Sequence, residues 1–349
     1  MDRFEKLGVQ FPYFIAPMVG ISHVAFRELV RFYTPASLCP LIFTEMISSR
    51  RLPSQHVEEV DSLRTRFGES GLVPQLLCNQ DEFIAQSMLK LRRLYPWGVD
   101  INMGCPATQT LKHNWGVQLM HDKRAAADVV ASAKRHCDVP VSVKLRAALG
   151  REFDENYLLE FTEALENAGA DWLTIHCRTQ GQGHHGYARW DMVQKVAERR
   201  RIPIVANGDV HTWEDALHVK KTYGVDGVML ARAAIARPWI LWQIAYKLGI
   251  EDKPVNATRD TPPFTPEEEG QEFFAAILRY TCLLEDYFGE GPETMRRVFF
   301  HLVHGSRWLF FGHDFMTRAR RATDLFTLRE IINDYRESSS QTLVARART

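Results

Sequence analysis

Pro140-Val141-Ser142-Val143-Lys144-Leu145 and Ile202-Pro203-Ile204-Val205-Ala206-Asn207 decide the fold class of this chain. Both are short, largely apolar runs that carry a polar residue at or near the end. A strand with one face in water alternates apolar and polar residues, whereas a strand buried on both faces reads as such a run. Similar stretches stand at Phe14–Met18, Leu41–Glu45, Val73–Cys78, Gly98–Asn102, Trp172–His176 and Gly227–Leu230. Helical periodicity fills the intervals, as in Asp81–Tyr95, Lys123–His136, Tyr157–Ala168 and Trp213–Thr222. Strand and helix in alternation imply a parallel sheet. Eight such units fit a closed (β/α)8 TIM barrel. The open doubly wound sheet is the alternative, but no GxGxxG follows the first strand.

After Gly249 the composition changes. Residues 251–268 (EDKPVNATRDTPPFTPEE) are rich in proline, threonine and acids and read as a linker. From Glu267 to Glu337 the pattern is helical. The expected organisation is an α/β chain with a barrel over 1–250, the linker 251–268 and a small C-terminal α-helical domain over 269–349. The last dozen residues are expected to fray.

The chain has 349 residues, with 43 Lys+Arg against 43 Asp+Glu. Bulk charge therefore gives no support to nucleic-acid binding, and only a local patch could carry it. The start MDRFEKLGVQ lacks the basic and then apolar pattern of a signal peptide. No apolar stretch approaches the roughly 18 residues of a membrane span. Cys39, Cys78, Cys105, Cys137, Cys177 and Cys282 form no CxxC pair, which argues against a zinc site or a disulfide framework. A reduced, cytoplasmic monomer without a metal is expected.

In a barrel, functional groups stand at the C-terminal ends of the strands. Here those ends read Ala16-Pro17-Met18, Thr44-Glu45, Gln75, Asn102 with Cys105, Lys144, His176, Asn207-Gly208-Asp209 and Ala231-Arg232. Each alone has a plain structural reading: Lys144 as a snorkelling lysine, His176 as a core histidine, Gln75 as a loop cap. Eight at the same end of one repeat point to a site. The residue types suit a flavin. The Gln75 amide matches the pyrimidine edge, and Lys144 stabilises negative charge at the N1–C2 carbonyl. The Asn207-Gly208-Asp209 and Leu230-Ala231-Arg232-Ala233 turns follow the seventh and eighth strands, where barrels bind phosphate. The stretch Asp100-Ile101-Asn102-Met103-Gly104-Cys105-Pro106 holds a thiol between glycine and proline at a strand end. That arrangement suits a general acid. An ordinary thiol titrates near about 8.5, so it is protonated at neutral pH. The alternative for Cys105 is a small buried side chain, and the other five cysteines are read that way.

APM (16–18), TE (44–45), QLL (75–77), DINMGCP (100–106), SVKLR (142–146), IHCRT (175–179), ANGD (206–209) and MLAR (229–232) stand in an order and spacing that resemble the flavin-dependent tRNA-dihydrouridine synthase family, bacterial type. The likeness covers nearly all of 12–245 and continues weakly beyond. It implies FMN as cofactor, NADPH as electron donor and tRNA as partner. It implies hydride transfer to uridine C6, with Cys105 protonating C5 from the opposite face. By position it assigns Pro17, Met18, Val19, Gln75, Lys144, His176, Asn207, Gly208, Asp209, Ala231 and Arg232 to FMN, and Asn102 to the uracil edge.

Three departures stand out. Ala107-Thr108-Gln109-Thr110 follow Pro106 where the family often has a cation, so Lys112 or His113 is expected to take that phosphate contact. Ala231-Arg232 replaces Gly-Arg, and Gly116-Val117 replaces Gly-Ser.

Tyr187, after the QGQGHHGY loop, is a candidate wall for a flipped base. His184 and His185 beside it read either as phosphate contacts or as solvated. Residues 296–349 hold ten arginines and five acids, with no lysine. The resemblance makes this the tRNA-binding region, with Arg320 and Arg321 as candidate contacts. Trp308, Phe310 and Phe311 are open between bundle core and RNA contact. Two other readings stay in play: a flavin barrel acting on a small pyrimidine, and a non-catalytic RNA-binding barrel.

Overall fold

In the computed structural model the described residues are 3–66, 68–183, 185–338 and 341–346. Eight parallel strands form a closed barrel in chain order: β1 (Tyr13–Ile15), β2 (Ile42–Ser48), β3 (Leu72–Leu77), β4 (Val99–Met103), β5 (Val141–Ala148), β6 (Trp172–Thr179), β7 (Ile204–Asn207) and β8 (Gly227–Leu230). β8 returns to β1 with Leu230 opposite Ile15. The helices are α1 (Val24–Phe32), α2 (Asp81–Leu91), α3 (Thr108–Leu111), α4 (Lys123–His136), α5 (Glu155–Asn167), α6 (Trp190–Arg199), α7 (Trp213–Tyr223), α8 (Arg232–Ala236), α9 (Ile240–Lys247), α10 (Pro266–Phe288), α11 (Pro292–Gly305), α12 (Gly312–Ala319) and α13 (Leu325–Glu337).

Each expected strand is present, with ends shifted by a few residues. β5 and β6 run further than expected, to Ala148 and Thr179. Their extensions carry Arg146 and Arg178. Both are buried and hydrogen-bonded to neighbouring loops, which satisfies charge that would otherwise end a strand.

Packing divides the chain into two compact units. The first is Met1–Met18, Cys39–Asp209 and Leu217–Leu230; the second is Val19–Leu38, Val210–Ala216 and Ala231–Thr349. The division therefore does not follow chain order.

In the first unit, successive strand residues point to opposite faces of the sheet. Val99, Ile101 and Met103 on β4, and Val141, Val143 and Leu145 on β5, form one apolar set. Helices cover the outside of such a barrel, so the apolar set faces them and the polar set faces the lumen. Asp100 and Asn102, and Ser142, Lys144 and Arg146, make up that inner set. Near the start of the strands Phe4 packs on Phe14 and Trp172, with ring centroids at 5.3 and 6.3 Å.

In the second unit, α10 opens with a capping box between Thr265 and Glu268, and with Pro266 in its first turn. The expected linker thus ends in a helix start. Phe274, Phe315 and Tyr335 form the centre of an aromatic core, with Phe274 and Phe315 edge-to-face at 5.1 Å. Arg237 meets Glu269 in a buried pair at 2.7 Å, and Gln243 donates to the same carboxylate at 2.9 Å.

The expectation of a frayed C-terminus is corrected over 341–346. Leu343 is buried and bridges Leu309. The Val344 N–H donates to the Trp308 carbonyl at 2.7 Å, and the Phe310 N–H donates to the Thr342 carbonyl at 2.9 Å. An apolar anchor and paired backbone groups hold this segment in place. Residues 339–340 and 347–349, including Arg348, lie outside the described residues. Among the described residues, no helix is long and apolar enough to cross a membrane.

Candidate active site

The β4 end sets the geometry. Asn102 turns its side-chain oxygen back onto the chain, accepting the N–H of Gly104 at 3.1 Å and of Cys105 at 2.9 Å. The Cys105 carbonyl accepts the Val117 N–H at 3.1 Å. That closure needs Gly116, which has φ of +62°; a Cβ there would come within 2.5 Å of the Cys105 carbonyl oxygen. The Thr110 hydroxyl donates to the Cys105 sulfur at 3.5 Å. Cys105 is partly exposed, whereas Cys78 and Cys177 are buried and their thiols are pushed up to about 12 by burial. The reading of the other cysteines as small core residues is corrected for Cys39 and Cys282, which are exposed, and Cys137 is half-buried.

Beneath this turn lies a buried chain of hydrogen bonds across three strands. Register aligns Gln75 with Asp100, and Asp100 with Ser142. Ser142 donates to one Asp100 oxygen at 2.5 Å, and the Gln75 amide donates to the other at 2.6 Å. The Gln75 carbonyl oxygen then accepts from the Asn102 amide at 2.9 Å. Burial raises Asp100 to about 6, against the pull of these donors and of Lys144. Lys144 is opposite Asn102 in the sheet. Burial lowers its ammonium to about 8, against the attraction of Asp100.

Two buried arginines tie the loops. Arg146 donates to the Gly104 carbonyl at 3.0 Å and to the Thr179 carbonyl at 3.1 Å. It thereby joins the Cys105 turn to the β6 end. Arg178 donates to the Gly186 carbonyl at 2.7 Å and to both Asp209 oxygens at 2.7 and 2.6 Å. Asp209, at φ of +52°, also accepts the Ala188 N–H at 2.8 Å. Its carboxylate therefore holds Ala188 directly and Gly186 through Arg178. Gly208, at φ of +115°, leaves room for the His176 ring, which a Cβ would meet at 2.9 Å. Asn207 donates to the Met229 carbonyl at 2.8 Å.

The remaining expected residues fall as follows. Pro17 and Met18 are half-buried in the first unit. Tyr187 is 80% exposed, and His185 is exposed. His184 lies outside the described residues. Lys112 and His113 are exposed. Arg50 reaches His113 at 3.3 Å and lies over the Trp115 ring at 5.5 Å. In the second unit Val19, Arg232, Arg320 and Arg321 are exposed, and Ala231 caps α8. The three aromatics there divide: Trp308 is core, while Phe310 and Phe311 are exposed.

Residues 14–307 match the family described as Dihydrouridine synthase (Dus). The chain belongs to the dihydrouridine synthase family. Among curated relatives, the probable tRNA-dihydrouridine synthase 1 of Synechocystis is 35% identical over 66% of this chain and 63% of that protein. The probable tRNA-dihydrouridine synthase of Rickettsia prowazekii is 28% identical over 96% of this chain and 97% of its own. Histamine dehydrogenase from Rhizobium sp. 4-9 shares the fold, with a TM-score of 0.51, 11% identity, and 78% of this chain and 49% of that chain covered.

Within this dihydrouridine synthase barrel, sequence reasoning passed over Asp100, Ser142, Thr110, Arg146 and Arg178. A signal existed for three of them. Asp100 is two residues before Asn102, while Ser142 and Arg146 flank Lys144 at the same spacing, and strand periodicity puts such positions on one face.

Proposed function

We propose that this protein reduces uridine in tRNA to dihydrouridine, with Cys105 as the acid, FMN as cofactor and NADPH as electron donor. The observation that carries the reading is the Cys105 turn. A partly exposed thiol is held at a barrel strand end by backbone bonds to Asn102 and Val117, with the Thr110 hydroxyl on its sulfur.

The donor set fits a flavin. Gln75 retains one N–H and one lone pair after its two internal bonds. Lys144 offers a cation, its ammonium lowered to about 8 by burial, and Asn207 keeps its carbonyl oxygen. Pro17, Met18, His176 and Gly208 complete the first unit's share of the assignment. Val19, Ala231 and Arg232 are assigned to the flavin by the family resemblance alone. Asp209 contributes the shape of its turn, since Arg178 holds its carboxylate. When bound, reduced FMN supplies the hydride that adds at C6.

The chain's own residues do the remainder. Cys105 delivers the proton to C5 from the opposite face, so hydride and proton together saturate the C5–C6 double bond. The sulfur left negative keeps the Thr110 hydroxyl. Asn102 holds the pyrimidine edge. Tyr187 stands as the wall for an unstacked base, and the exposed Arg320-Arg321 pair meets the phosphate backbone. The reading carries with it a cytoplasmic monomer.

The test is Cys105→Ala. The purified variant should stay yellow and oxidise NADPH, yet form dihydrouridine about 100-fold more slowly or worse. A normal yield overturns the acid assignment. A colourless wild-type protein that takes up no FMN overturns the whole reading.

A further inference from the structure

Asn102 has little freedom left. Only an oxygen can accept the N–H groups of Gly104 and Cys105, so the orientation of this amide is settled by backbone donors rather than by choice. Both lone pairs of that oxygen are used. One amide hydrogen goes to Gln75, and among the described residues the other meets the Met46 sulfur at 4.0 Å, a weak acceptor. Toward a ligand, Asn102 is therefore a donor and not an acceptor.

The other end of the chain enforces the same polarity. Ionised Asp100 can only accept, so Gln75 turns its N–H groups toward it and its carbonyl toward Asn102. Ser142 holds the second Asp100 oxygen. Asp100, Ser142 and Gln75 are at most 1% exposed and Asn102 is 8% exposed, so water does little to relax this order.

We infer that Asp100, acting through Gln75, is a specificity-determining positioning residue: it keeps Asn102 a pure donor aimed at the C4 carbonyl of a uracil, and so rejects cytosine. This rests on the proposed function. Cys105 there protonates C5, and the exocyclic group next to C5 is the one on C4. Asn102 binds the N–H of Cys105 itself, which puts its amide on that side of the ring. Uracil carries an oxygen at C4 and cytosine an amino group, so a donor-only amide separates the two.

The polarity of the chain can be reversed by exchanging two side chains. In Asn102→Asp, the new carboxylate still accepts the two backbone N–H groups. Gln75 then faces a carboxylate on both sides, and one of its contacts is oxygen against oxygen. In the double variant Asp100→Asn with Asn102→Asp, both bonds of Gln75 are restored in the opposite sense. Gln75 donates to the carboxylate introduced on β4 nearer the turn. The amide introduced two residues earlier donates to the Gln75 carbonyl, and Ser142 donates to the oxygen of that amide. The site then presents only an acceptor where Asn102 presented a donor.

Two measurements on the flavin-loaded protein at pH 8 decide the matter. The first is the thermal midpoint of wild type, both single variants and the double variant. Asn102→Asp should fall by about 5 °C or more, and adding Asp100→Asn should recover most of that loss. The second is the dissociation constant for tRNA transcripts carrying uridine or cytidine at the position the wild type modifies. Wild type should favour uridine by about tenfold, and the double variant should lose that preference. Absence of thermal rescue overturns the polarity chain. Rescue with the uridine preference intact overturns its role in specificity. A wild-type protein that makes no dihydrouridine breaks the proposed function instead, and the thermal cycle still decides the chain.

Discussion

In the barrel, Asp100 is enclosed by groups that hydrogen-bond it from both sides. In the second unit, His23 and His301 are enclosed mainly by rings. The Tyr280 and His301 centroids are 4.3 Å apart, His23 packs edge-to-face on Phe288 at 5.3 Å, and Tyr280 reaches the His23 ring nitrogen at 3.1 Å. Burial shifts both sets of groups toward their neutral forms. Asp100 rises to about 6, while His23 and His301 fall to about 3. For His23 burial is the chief cause, and Arg297 and Arg27 add to it. A chain of directed hydrogen bonds carries orientation from one residue to the next. A packed ring cluster carries no such direction, and its main response to pH is a change in stability.

The two clusters should therefore answer acid in opposite directions. A histidine whose folded pKa is depressed contributes stability above its ordinary value of 6.5, and that stability is lost as pH falls. Between pH 6.5 and 4.5 the second unit should lose on the order of 3 kcal/mol, and His301→Leu should flatten the loss. Hydrogen-exchange protection of α10 and α11 amides measures it, and unchanged protection breaks the comparison.

Asp100 runs the other way. Its folded pKa lies above the ordinary 3.8, so its contribution is fully present at low pH and fades as pH rises through about 6. Protection of β4 and β5 amides should rise by about 2 kcal/mol on going from pH 6.5 to about 4, and Asp100→Asn should remove that slope. A wild-type slope matched by the variant would assign the effect to another group.

Lys144 sharpens the contrast by function. Lys144→Met should weaken flavin retention by about tenfold, because the uncharged side chain gives up one charge-assisted contact. Equal flavin content after dialysis would remove Lys144 from the cofactor assignment. The smallest effect belongs to the surface. Replacing both Arg320 and Arg321 by alanine should weaken tRNA binding only a few-fold and reduce the salt dependence by about one to two counterions. An unchanged salt slope would move the RNA contact elsewhere.

Much of the site was legible along the chain, but unevenly. Cys105 stood out because Gly104 and Pro106 flank it at a strand end, and its turn is built from residues within about a dozen positions, Asn102 to Val117. Asp209 was legible as a turn residue, yet its carboxylate serves Arg178, a partner 31 positions away. The C-terminal segment looked like loose end because its anchors, Leu309 and Trp308, lie more than 30 residues before it.

The sequence by itself determined the eight-fold strand–helix alternation and which residues end each strand, since hydrophobic period and turn chemistry are local properties. Only the tertiary structure decided that Gln75, Asp100 and Ser142 would become neighbours. They come from three separate strands, 25 and 42 residues apart, and nothing local links them. Barrel closure and strand register brought them into line, and with that set which way the amide of Asn102 would face.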